Sequence, residues 1–157
     1  MKKSIKSGLI GAVLTLTAVF AYQATGHVLN VQDASEAPVH MPVQAFEVDP
    51  SWVKEGKPHF RAVEFYQSTD KHSSSGIFEC DGPSTFEWHY QLDEAIYVLE
   101  GGVEIDYQGK HLSVKPGETV FFRAGTTATW HVPVHIKKAW TLYDPGRVAR
   151  WMAKLFG

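Results

Sequence analysis

The sequence predicts an all-β fold: an antiparallel barrel preceded by an extended N-terminal arm and followed by a short C-terminal helix. Three observations carry this. From Phe60 to Tyr143, short runs rich in β-branched and aromatic residues alternate with turn signals at the spacing of a sandwich or barrel. Two of the runs alternate with a period of two: Val103, Ile105 and Tyr107 interleave with Glu104 and Asp106, and Leu112 and Val114 interleave with His111 and Ser113. The chain is 157 residues long and 44% hydrophobic, which suits one domain with a buried core.

Taken in order, residues 27–58 form the arm. Pro38, Pro42, Pro50 and Pro58 keep it extended over a surface, with one short turn or helix near Asp49–Lys54. The barrel, 59–143, reads as strands near 60–67, 75–80, 84–90, 94–100, 102–107, 111–114, 118–123, 127–132 and 134–143. Ala95 to Leu99 is apolar on both faces, as a strand between two layers would be. Gly101-Gly102 and Gly117 punctuate strands where the chain reverses or approaches other backbone. From 144 to 157 the period changes: Asp144 can cap, Pro145 suits a first helical position, and Val148, Trp151, Met152, Leu155 and Phe156 share one face. This amphipathic helix is expected to clamp its own barrel rather than to build a dimer.

The first 26 residues stand apart. Lys2, Lys3 and Lys6 precede a small-residue-rich apolar run, the layout of a secretory signal, with cleavage expected after Ala21 or Gly26. Export to a bacterial periplasm follows from it. Extended to Ala24, the run approaches the ~20 residues of a spanning helix, so an anchor in the inner membrane is the alternative. Removing residues 1–26 leaves 12 basic against 17 acidic side chains, changing the net charge from −2 to −5. With no basic run in the body of the chain, nucleic acid is excluded as an expected partner, and a membrane is met only through an uncleaved N-terminus. Cys80 is the only cysteine, so no intramolecular disulfide forms, and a buried inert thiol is expected.

The segments FEWHYQLDEAIYVLEG (86–101), PGETVFFRAG (116–125) and TATWHV (127–132) carry a family signature. Glu94, six residues and Gly101 match the end of one motif; Gly117, five residues, Arg123 in a proline position and Gly125 match another. Together they resemble the two motifs of the cupin superfamily, with a flavour similar to the small-barrel family typified by the (S)-ureidoglycine aminohydrolase cupin domain. The resemblance covers roughly residues 45–143 and implies a jelly-roll barrel. It also implies an inward-facing metal site of histidines and a carboxylate, and a capacity to pair as a homodimer.

Which residues would fill that site depends on register. Counting back from Glu94 with four intervening residues puts Glu87 and His89 in the ligand positions, a set that could hold one divalent ion, manganese, iron or zinc. With three intervening residues, Trp88 and Tyr90 stand there instead, and neither is an ordinary metal ligand. Strand parity groups Phe86, Trp88 and Tyr90 on one face, which would ordinarily claim the interior and turn Glu87 and His89 outward. The last histidine of the second motif is replaced by Ala128. In the aromatic register Trp88, Tyr90 and Trp130 would line a pocket beside Glu94, with Arg123 at its mouth as an anchor for a ligand carboxylate. His27, His40, His59, His72, His111 and His135 read as solvent-facing imidazoles.

Two functional classes therefore stand open. One is a metal-dependent enzyme of the ureidoglycine aminohydrolase type, in which the ion activates water or a C–N bond. The other is a non-catalytic cupin that binds a metabolite or serves as an accessory or structural partner. Both take a small-molecule ligand as the first expectation.

Overall fold

The computed structural model describes residues 34–146. The candidate export segment and residues 147–157 of the expected C-terminal helix lie outside them. Residues 37–67 and 71–146 make one compact unit; residues 34–36 and 68–70 belong to another, within which Ser68 Oγ donates to Asp70 Oδ1 at 2.7 Å.

The larger unit holds eleven strands: β1 (Gln44–Ala45), β2 (Val53–Gly56), β3 (Phe60–Gln67), β4 (Ser73–Asp81), β5 (Ser84–His89), β6 (Asp93–Gly101), β7 (Val103–Tyr107), β8 (Lys110–Val114), β9 (Thr119–Phe122), β10 (Thr127–Val132) and β11 (His135–Tyr143). They form two antiparallel sheets, ordered β1-β3-β4-β11-β6-β9 and β2-β5-β10-β7-β8, the two layers of a jelly-roll barrel. The arm is more structured than its prolines suggest. A 3-10 turn at Pro50–Trp52 separates β1 from β2, and each short strand pairs with the edge of a different sheet. Asp49 Oδ1 caps the turn by accepting from Ser51 N at 2.9 Å.

Alternation sets which side chains meet between the layers. Ile96 and Val98 of β6, Val103 and Ile105 of β7, Trp130 and Val132 of β10 and Ile136 of β11 are buried. Burying each such side chain contributes about 1.5–3 kcal/mol, so the layer contact dominates the stability of the unit. At the β6–β7 corner Gly101 has φ +75° and lies so close to His135 that a Cβ would sit 2.0 Å from its carbonyl oxygen; only glycine fits. Cys80 is buried, and loss of hydration pushes its thiol up to about 11.

Candidate functional site

Of the two registers open for β5, the structure holds the aromatic one. Phe86 is buried and Trp88 packs against the core, whereas Glu87 pairs with Lys54 Nζ at 3.0 Å beside the arm. Ala128, in the position of the motif's last histidine, is buried on β10 opposite Trp88. On β6, Glu94 faces inward with Ile96 and Val98.

What meets Glu94 is a lysine. Lys138 lies on β11 between Ile136 and Trp140, in the inward parity, and its Nζ donates to Glu94 Oε1 at 2.5 Å. Both side chains are almost wholly removed from water, Lys138 4% and Glu94 6% exposed. Two rings flank the ammonium: Trp130, 4.8 Å from its centroid, and Phe78, 5.0 Å. The negative faces of these rings partly replace the lost hydration. Trp130 is itself held by its Nε1–H, which donates to the Tyr90 hydroxyl at 3.1 Å. Burial first, and the charge of Glu94 second, push the Tyr90 phenol well above its ordinary range, so it stays protonated.

The pair forms the floor of a half-open cavity of about 330 Å3. Phe78, Trp88, Tyr90, Trp140 and Leu142 of the barrel line it, and the arm adds Phe46 and Trp52. Trp52 and Trp88 meet edge to face, centroids 5.6 Å apart. His89 lies at the rim with its ring 4.8 Å from Trp52, its Nδ1 2.8 Å from Thr127 Oγ1 and its Nε2 3.9 Å from Glu87 Oε2. Space for Trp140 exists because position 76 is glycine: a Cβ there would stand 2.3 Å from the indole and 2.1 Å from the Val63 carbonyl oxygen.

Trp88 and Tyr90 therefore line the cavity beside Glu94, and Trp130 lies beneath the Lys138 ammonium. Arg123 does not line it; its side chain is 67% exposed, 3.7 Å from Asp93 and over the Phe121 ring. Glu87, His89 and Glu94 are not drawn into one donor set, because Glu87 is held by Lys54 and Glu94 by Lys138. No group of three or more His, Cys, Asp or Glu side chains among the described residues could hold a metal ion. The residues present thus do not fit the metal that the motif resemblance implies, and the position such an ion would neutralise is taken by an ammonium group.

Lys138, Trp140, Phe78, Phe46 and Trp52 were not legible as site residues from motif spacing. Parity could have found the first. Ile136, Lys138, Trp140 and Leu142 share a face, and a lone cation in an otherwise apolar row implies a buried partner.

Residues 67–140 match the model of the EutQ-like cupin domain. The barrel has the cupin fold. Its likeness to the Clostridium difficile EutQ protein has a TM-score of 0.51 at 21% identity, covering 65% of this chain and 83% of that one. A Pseudomonas syringae pv. tomato protein of unknown function gives 0.59 at 21% identity, covering 65% and 44%. Among curated proteins, the acetate kinase EutQ of Clostridioides difficile is 30% identical over 60 residues. The chain matches it over 38% of either sequence, well under half of that relative's length.

Proposed function

We propose that this cupin binds a small organic molecule in the aromatic cavity above Glu94 and Lys138, and that the pair orients the ligand's polar end. The supporting observation is the combination of an open apolar cavity with a desolvated ion pair at its floor. A purely structural core would close over such a pair, since buried charges add little net stability when apolar residues of the same volume would serve. A concave, mostly apolar site with a few convergent polar groups is the usual form of a ligand pocket.

The match to EutQ supports a metabolite-binding role without assigning the acetate kinase activity, which belongs to a protein that the match covers only in part. An aminohydrolase of the ureidoglycine type is the alternative, supported by the Glu94 motif spacing. The N-terminal lysines and apolar run support export of the barrel, a proposal that cell fractionation would test.

Ligand-observed NMR of a fragment library tests the binding role. Hits should compete with one another and disappear in Ala62→Trp, which places an indole in the cavity opening. A full set of hits retained in that variant would place binding elsewhere.

A further inference from the structure

Resting on that reading of the cavity, we propose that the site selects neutral ligands: an aromatic or apolar body carrying one hydrogen-bond donor, such as an alcohol, a phenol or an N–H heterocycle. The selection comes from how the two floor charges are already used.

Lys138 spends one N–H on Glu94 Oε1, and the rest of its ammonium faces Trp130 and Phe78. Its charge is balanced within the protein. Among the described residues, no donor is paired with the second carboxylate oxygen, Glu94 Oε2, and no side-chain oxygen is both buried and unpartnered, so Oε2 opens onto the cavity. The floor therefore offers an incoming molecule a carboxylate acceptor at Oε2, beside the Tyr90 hydroxyl that accepts from Trp130, and no net charge.

A carboxylate ligand would bring a second negative charge against Oε2 while Lys138 remains committed to Oε1. A cationic ligand would meet Oε2 but sit beside an ammonium already caged by the rings, leaving the cavity with an unbalanced positive charge. At the floor either charge loses its hydration among Trp88, Tyr90 and Trp140, where Glu94 and Lys138 already neutralise one another and the His89 imidazole stands at the rim. A ligand with no donor fails differently, because covering Oε2 with hydrocarbon removes its water and returns nothing. A neutral donor satisfies Oε2 and lays its ring against the indoles.

The test uses the full chain and four probes with one ring and different heads: benzyl alcohol, toluene, benzoate and benzylammonium. Affinities are read by chemical-shift titration. Benzyl alcohol should bind at least about tenfold more tightly than each of the others, as expected for one donor to a charged acceptor. In the double variant Glu94→Leu/Lys138→Met that preference over toluene should vanish while both still bind. Benzoate or benzylammonium binding as tightly as benzyl alcohol would overturn the charge selection and leave the cavity reading standing. Failure of all four to bind would overturn both. An alcohol preference that survives in the double variant would also refute the role of Oε2.

Discussion

Replacing Lys138 with methionine isolates the energetics of the floor. The side chain keeps its approximate length but loses its charge, so Glu94 remains 6% exposed with no counter-ion. At 2.5 Å and an effective dielectric constant of about 20, the attraction lost is roughly 6–7 kcal/mol. Relief of the lysine's own desolvation, several kcal/mol, offsets part of this, and removing one partner of a buried pair costs ~3–5 kcal/mol net. At ~4 °C per kcal/mol for a domain of this size, Tm should fall by about 12–20 °C. The double variant Glu94→Leu/Lys138→Met removes the orphan and should return to within about 1 kcal/mol of the parent, or exceed it. Urea unfolding of the parent, both single variants and the double completes the cycle. A single Lys138→Met variant as stable as the parent, or a double variant no better than the single, would refute the claim that the pair is charged and desolvated.

Gly76→Ala should push Trp140 toward the cavity, lowering stability by more than about 2 kcal/mol and weakening any ligand of the site, as read by melting and titration together. On the outer face of the second sheet, hydrogen bonds from His111 and His131 hold Asp106 below its ordinary 3.8, and Asp106 with Glu104 raises His111 above 6.5. The raised histidine stabilises the fold fully below 6.5 and loses that contribution as pH rises through its folded value; the depressed Asp106 contributes above 3.8 and loses it as pH falls. The stability gap between parent and His111→Ala should therefore be widest between pH 3.8 and 6.5 and close in alkali, which melting curves across pH will show. With its thiol raised to about 11, Cys80 should resist a thiol reagent at pH 8 in the native protein and react at once in guanidinium.

The barrel was legible because alternation and glycine punctuation are local. The predicted run 60–67 coincides with β3 and 127–132 with β10, and the other barrel strands fall within two residues of their expected ends. The arm was less legible, since β1 and β2 exist only through pairing with β3 and β5, and a two-residue strand has no periodicity to read. At the site, parity alone anticipated Trp88 and Tyr90 beside Glu94. Motif spacing pointed instead to a metal set because it counts ligands along one strand, whereas the partner of Glu94 stands 44 residues away on β11. Arg123 was expected at the mouth on the strength of a motif position, but the β6–β9 pairing leaves it near Asp93 and Phe121. His131 likewise found its partners, Asp106 and Thr85, across strands rather than along one.

The way the arm is fastened bears on the speed of exchange at the cavity. Gln44–Ala45 and Val53–Gly56 are the shortest ladders at the sheet edges, and between them they carry Phe46 and Trp52 to the cavity wall. A segment with so few ladder bonds opens at a smaller free energy than the sheets it borders. For a molecule bound as proposed, two of the surrounding rings, Phe46 and Trp52, would stand on this lightly fastened segment. Changes in the arm should alter how long a molecule stays and how fast it arrives, with far less effect on which molecule is chosen.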